Sequence, residues 1–465
     1  MSDSPAAPAS PSIAREEEPG LPMPRRWWAI AAISFGTALL VLDGSIANVA
    51  LPTIARDLGV SNSVITNVVT IYQLVLVMLL LPFSSLGDRV GHRRLYQYGQ
   101  GLFMAASALC VLADSLWLLL VLRALQATGA AMALSVSSAM LRKIYPAARL
   151  GTGLGVNSVI VASSSALAPT LGGYIAGHFH WHWVFVAAAP LAVVSLLLGQ
   201  ALPDPEPMDR KTDWTSAIWS ALTMLLLIGG IQLGTHGTGV LGGATFVLGV
   251  ISLVLLVRRE RASVAPVLPV DLLAMPSIGL SALAGMASFI AAGTLMLSLP
   301  FRLQEGMGYD PQMTGLLLLP FPLTMLVVAP AAGWLSDHVA PTKLGVAGMV
   351  IAITSLVLLA IMPPEPDGAG VALRLGFAAL GFGMFFAPNT RLIISRAPPE
   401  RAAAAGGLLS TSRLFGQTLA AVVVGILLAG GMGLGPSPMV LACGLCVLAA
   451  LCSLQRYRLR QPAAG

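Results

Sequence analysis

The stretch Leu86–Arg94, LGDRVGHRR, decides how this chain is read, because a degraded counterpart of it recurs in the second half. Leu335–Lys343 reads LSDHVAPTK, which sets Asp337 on Asp88 at an offset of 249. LRALQATGAA from Leu122 is answered by LRLGFAALGFG from Leu373, so Arg123 falls on Arg374 at 251, and Arg149 falls on Arg401 at 252. Three matches at a nearly constant spacing point to an internal duplication.

The surroundings of both copies are apolar. The 465 residues are 56% apolar and 10% charged, where a soluble domain carries roughly 25% charge, and the mean hydropathy is +0.83. An ordinary soluble enzyme is excluded. The 48 glycines and 32 prolines suit a helical membrane bundle, in which neighbouring helices re-satisfy interrupted backbone groups. A span needs about 20 apolar residues. Runs of that length begin near Trp27, Val64, Leu95, Leu116, Gly151 and Trp183, then at Trp214 and Leu241, then near Ile278, Met313, Lys343, Val371, Ala404 and Val440.

The predicted fold is therefore an all-α polytopic membrane protein of 14 transmembrane helices: two pseudo-symmetric six-helix bundles plus an inserted helix pair. The expected divisions are a disordered tail over 1–26, a first bundle over 27–202, a linker with the inserted pair over 203–273, a second bundle over 274–455, and a tail over 456–465. Of the 26 Lys and Arg, only Arg56 and Arg302 fall in loops on the side opposite the N-terminus, and Arg123, Arg374 and Arg413 lie within spans. The positive-inside rule then puts both termini in the cytoplasm, and the excess of +6 reads as topology rather than a nucleic-acid footprint. No signal peptide is expected, since the first apolar run is too long and contains Asp43.

Single residues carry the chemistry. A charged side chain placed mid-membrane costs about 2.5–3.5 kcal/mol, and Asp43 is the one carboxylate inside any of these runs. Arg123 lies eight residues inside the fourth run and Asp43 eight residues before the end of the first, so both sit about 12 Å below the same boundary. A proton could be exchanged at Asp43 as its distance from Arg123 and its solvation change. In the loop after the second run, Asp88 could pair with a neighbouring arginine such as Arg93 and lock two helices in one state.

The loop matches the signature of the major facilitator superfamily in Gly87, Asp88, Arg89, Gly91, Arg93 and Arg94, and the chain resembles that superfamily. LDGSIANVALPTI, Leu42–Ile54, narrows the resemblance to its fourteen-helix drug:proton antiporters, over nearly the whole chain past residue 26. The resemblance implies alternating access, a conformational latch in the signature loop, and a part in proton transfer for Arg123 with Gln126 and Gly129. It also implies an antiporter motif at Gly155, Ser164, Ala168, Pro169, Gly172 and Gly173, where small residues let helices close tightly. The second signature, Ser336, Asp337, His338 and Lys343, lacks the Gly and Arg of the first.

Polar and aromatic residues on the expected cavity helices are Asn48, Tyr72, Gln73, Gln126, Asn157, Phe385, Asn389, Arg413 and Gln417; most such positions in a bundle are packing. His178, His180 and His182 alternate in an outer loop, and Trp181 and Trp183 beside them read as an interfacial belt, so no metal is expected. Cys443 and Cys446 read as packing rather than redox chemistry. With no phosphate loop and no nucleophile motif, neither a cofactor nor catalysis is expected. The expected function is proton-coupled export of small amphiphilic compounds across the inner membrane by a monomer whose partners are substrate, protons and lipid. A facilitator-type nutrient importer is the nearer alternative, and a membrane-embedded enzyme or channel the farther one.

Overall fold

A computed structural model describes residues 20–145, 150–203, 214–235, 239–261, 270–363, 367–398 and 401–458, and these are helical apart from short turns. The helices of the first half are α1 (Arg25–Asp57), α2 (Asn67–Val90, after the single turn Asn62–Ile65), α3 (His92–Leu109), α4 (Leu116–Ile144), α5 (Leu150–His178) and α6 (His182–Val186 continued by Ala189–Leu198). Then come α7 (Trp214–Thr235) and α8 (Gly239–Arg261). The second half holds α9 (Pro276–Phe301), α10 (Pro311–Leu318 continued by Pro320–His338), α11 (Pro341–Ala360), α12 (Gly368–Arg396), α13 (Ala402–Ala429) and α14 (Ser437–Arg458).

Among the described residues, 12 helices are long and apolar enough to cross a membrane. Two expected spans are not among them. In α3, His92, Arg93, Arg94, Gln97 and Gln100 fill the first half of the helix, and α5 begins with turns whose side chains lie outside the described residues.

The chain's up-and-down course gathers Arg25, Arg89, Arg94, Arg396 and Arg458 at one end of the bundle, the basic end. At the opposite, distal end the re-entering helices are capped by side chains. Ser61 accepts from the Val64 amide at 3.3 Å, Ser115 from Leu118 at 3.4 Å and Asp310 from Met313 at 2.7 Å, satisfying amides that the helix itself cannot. Arg302, expected in a loop on the side opposite the N-terminus, is buried. It donates to the last carbonyls of α11, Leu359 at 2.8 Å and Ala360 at 3.4 Å, where the helix dipole favours a cation.

The duplication extends into the packing. Helices α3 and α4 cross at Gly99 and Gly129, where a Cβ on Gly99 would come within 2.6 Å of the Gly129 carbonyl oxygen. Helices α11 and α12 cross in the same way at Gly348 and Gly381, again at 2.6 Å. These glycines repeat the spacing of the signature loops, so the two crossings occupy equivalent places in the two halves. Each half has its own core, with Ile46, Phe103, Leu122 and Phe185 in the first and Leu295, Leu356, Phe382 and Cys446 in the second. Helix α7 lies over the seam between them, Ile228 packing with Leu74 of α2 and Val422 of α13.

At the distal end the halves meet. Gln304 donates to the Val49 carbonyl at 2.7 Å, Ser63 to the Gly425 carbonyl at 2.9 Å, and Arg56 pairs with Glu305 at 3.4 Å.

Candidate functional site

Helix α1 carries Asp43 and helix α4 carries Arg123 into the core of the first half. Arg123 Nη1 donates to Asp43 Oδ2 at 3.0 Å and Oδ1 at 3.2 Å, and also to Gln126 Oε1 at 2.8 Å. Gln126, one turn further along α4, donates in turn to Ser107 of α3 at 2.7 Å. The guanidinium carbon lies 4.1 Å from the centre of the Tyr72 ring and 5.2 Å from that of Phe185. Asp43, Arg123, Gln126 and Ser107 are all sealed from solvent. Removing one member of such a buried pair strands the other's charge, at a cost of about 3–5 kcal/mol. The Arg123 Nε has no hydrogen-bond partner, so the guanidinium reaches the carboxylate through Nη1 alone, while the Tyr72 hydroxyl also bears on Asp43.

One residue along, the same helices face the other way. Successive residues on a helix point about 100° apart, so Gly44, Ser45 and Asn48 of α1 and Gln73 of α2 border a cavity of about 220 Å³ between the halves. Its far wall comes from the second half: Phe289 and Met296 of α9, Phe321 of α10, Phe386 of α12 and Gln417 of α13. The carbonyl oxygens of the Asn48 and Gln73 side chains are buried there without a hydrogen-bond partner. A buried polar atom without a partner is costly, and a bound molecule with a donor group would relieve the cost. A second cavity, an open groove of about 690 Å³, lies among α10, α12 and α13, lined by Ala329, Thr390, Arg391 and Arg413. Phe386 borders both spaces.

Two helical halves with a polar-lined cavity between them are the architecture of a carrier, and comparison with known proteins decides which. The model of the Major Facilitator Superfamily matches residues 33–421 and 281–464. The chain belongs to the Major Facilitator Superfamily. It is a multi-pass membrane transporter and not an enzyme. It is 39% identical over 447 residues to the Escherichia coli transporter YebQ, covering 95% of this chain and 98% of that one. It is 29% identical to the riboflavin transporter RibZ of Clostridioides difficile, covering 84% and 86% of the two chains. To the multidrug efflux pump LfrA of Mycolicibacterium smegmatis it is also 29% identical, covering 86% and 80%. Among solved structures, the inward-facing bacterial homologue of the lysosomal transporter Spinster superposes with a TM-score of 0.70 at 15% identity, over 96% of this chain and 100% of that one. This likeness is one of fold.

The remaining residues singled out in this superfamily transporter separate by place. Asn48, Gln73 and Gln417 border the central cavity and Arg413 borders the groove. Four residues expected at the cavity sit elsewhere. Tyr72 and Gln126 turn inward to Arg123. Phe385 is fully buried in the core of the second half. Asn389 is buried near the basic end, donating to the Ser281 carbonyl at 3.0 Å and accepting from Arg456 at 3.2 Å. The side chain of Asn157, and Gly155 with it, lie outside the described residues, as does Arg149.

In the signature loop, Asp88 pairs with His92 Nε2 at 3.0 Å, where the sequence suggested Arg93. Gly91 between them has φ +102°, a backbone conformation that penalises any side chain. A Cβ on Gly87 would come within 2.5 Å of Val136 on α4, so this loop needs glycine twice, for two different reasons. Arg89 and Arg94 are exposed and Arg93 is half-buried. The second copy, despite its losses, is tied across helices: Arg391 of α12 pairs with Asp337 at 2.7 Å.

The α5 motif lies where the halves meet. A Cβ on Gly173 would run into the Pro311 carbonyl and Gly315 of α10, one on Gly315 into the Pro169 carbonyl, and one on Gly172 into the Ile46 carbonyl of α1. Ser164 and Ala168 are buried on the same helix. In the outer loop, Trp181 donates to Asp57 at 2.6 Å, and His182 stacks on Trp181 at 3.7 Å.

Proposed function

We propose that this chain is a proton-coupled antiporter that exports small amphiphilic compounds across the inner membrane by alternating access. The carrying observation is the buried Asp43–Arg123 pair, one residue along α1 from the wall of the central cavity. A displacement of α1 that widens the cavity also changes the distance and hydration of Asp43, which ties a protonation step to a substrate step. Export is supported by the relative named as a multidrug efflux pump and by the apolar, aromatic far wall of the cavity.

In this reading the chain divides into bundles over 27–202 and 274–455, with the α7–α8 pair inserted within the 203–273 linker. Helices α3 and α5 bring the spans to fourteen, and both termini are cytoplasmic. With the basic end in the cytoplasm, the contacts of Gly173, Gln304 and Ser63 close the outer side, and the groove at Arg413 opens inward. The Asp88 loop works as the latch when that inner side shuts, and the tight seam at Pro169, Gly172 and Gly173 prevents a leak through the closed outer side. The protein acts as a monomer, without a cofactor.

The coupling is tested by adding an amphiphilic substrate to everted vesicles holding an acid interior. Substrate-dependent alkalinisation of the interior supports antiport, and accumulation that persists unchanged when the gradient is collapsed contradicts it. The importer alternative predicts build-up of substrate in intact cells instead.

A further inference from the structure

We infer that Arg413 and the ring stack at Phe386 select substrates carrying an acidic group beside a planar aromatic system. This rests on the reading of the chain as a transporter of amphiphiles and narrows its substrate class. Arg413 lies eleven residues into α13, about 16 Å from that helix's basic end, and lines the groove among α10, α12 and α13. Among the described residues it has neither a hydrogen bond nor an ion-pair partner. The other cation of the groove, Arg391, is neutralised by Asp337 at 2.7 Å and also donates to the Ser336 hydroxyl at 3.0 Å. The groove therefore presents one uncompensated charge, and it is positive. A guanidinium partly withdrawn from water gains most from an anion brought to it.

The aromatic requirement comes from the neighbouring wall. Phe386 stacks on Phe289 with ring centres 4.4 Å apart and planes 12° apart, and on Phe382 at 5.8 Å and 17°. Phe386 and Phe289 line the central cavity as an aromatic wall, backed from the core by the fully buried Phe382, and a planar ring system packs offset or edge-on against such a wall. Because Phe386 borders both the groove and the central cavity, and Gln417 in the cavity is one helical turn from Arg413, a molecule can leave its acid group on Arg413 while its ring system reaches the stack. The path from groove to cavity then passes Phe386.

The test compares two xanthene dyes of similar ring system and opposite charge, fluorescein and rhodamine 6G. Binding is followed by fluorescence anisotropy, with the protein in nanodiscs of phosphatidylcholine. The wild type is expected to bind fluorescein saturably and more tightly than rhodamine 6G. Arg413→Gln weakens fluorescein by at least about tenfold while leaving rhodamine 6G within about twofold, and Arg413→Lys recovers most of the loss. The unchanged rhodamine signal shows that the Gln variant is folded. The inference is overturned by absence of saturable fluorescein binding, by equal binding of fluorescein to wild type and Arg413→Gln, or by its complete displacement by phosphatidylglycerol in the discs, which would make a lipid headgroup the occupant. Binding needs no gradient, so failure of proton coupling would leave these outcomes unchanged.

Discussion

Arg123 holds the carboxylate of Asp43 through a single nitrogen, at 3.0 and 3.2 Å, and that nitrogen is shared with Gln126. This differs from the two-nitrogen fork that makes arginine–carboxylate pairs strongest. The guanidinium has been drawn sideways by Gln126, itself fixed by Ser107, and is covered by the Tyr72 ring. An ion pair made through one shared nitrogen is loosened by a small movement of α1 against α4. That is the property a proton-exchanging site needs.

Gln126 should therefore tune the pair rather than merely fill space. Gln126→Leu frees Nη1 for Asp43 alone and strengthens its hold on the ionised carboxylate. The expected outcome is a shift of the transport pH profile to lower pH, with substrate affinity within about twofold. An unchanged profile would show that Gln126 has no influence on the titrating group.

The tight seam at α5 and α10 predicts a conformational effect. Gly315→Val adds carbon atoms where the Pro169 carbonyl and Gly173 already stand, so the distal side can no longer close. In a Ser45→Cys background, the cysteine lining the central cavity should react with an impermeant maleimide from the distal side at least about tenfold faster in the Gly315→Val variant. Equal rates would mean that the seam is not the closure.

Gly91→Ala places a side chain at φ +102°, at a cost of about 1–3 kcal/mol. Thermal unfolding in detergent should show a lower Tm, with Gly101→Ala, a site with open space around it, as the control that does not fall. Asp88→Asn, in contrast, should slow turnover while leaving substrate affinity nearly intact, since Asp88 lies at the basic rim and away from the cavity. Parallel loss of affinity and turnover would place the damage in the site itself.

Arg401 ties the start of α13 to Asp271, donating at 2.7 and 2.8 Å. Burial works to raise the Asp271 carboxyl, but the hydrogen bonds and charge of Arg401 outweigh it and leave the group below the usual carboxylate range. The stabilisation is then present above the unfolded value of about 3.9 and is lost as pH falls through the lower folded value. The pair is partly exposed, so its worth is at most about 1 kcal/mol. The Tm difference between wild type and Asp271→Asn should be small and positive at pH 7 and shrink as the pH falls below about 3.9. A difference that grows on acidification would contradict the sign.

The parts legible in the sequence are those where a residue is expensive. Asp43 and Arg123 stand out because charge in an apolar run is costly, and Gly87 and Gly91 because a loop motif spells them out. The glycine crossings at Gly99 and Gly348 were present in the repeat but silent, since a glycine does not announce its neighbour. The cavity was only partly legible. Asn48, Gln73 and Gln417 were readable as polar, whereas Phe289, Met296 and Phe321 were invisible among dozens of apolar residues, because helix period gives a face but not what the face meets. For the same reason Phe385, expected at the cavity, belongs to the core of the second half, and Asn389 to a polar network with Ser281 and Arg456 near the basic end. Asp88 was read toward Arg93, yet the break at Gly91 brings His92 round to it.

Proton coupling through Asp43 is the central claim, and its most direct measurement is ΔpH-driven substrate accumulation in everted vesicles by the wild type and Asp43→Asn. The account predicts that Asp43→Asn abolishes accumulation against the gradient while substrate binding, or downhill exchange of a neutral substrate, remains measurable. Accumulation by Asp43→Asn at the wild-type level under the same ΔpH would contradict it.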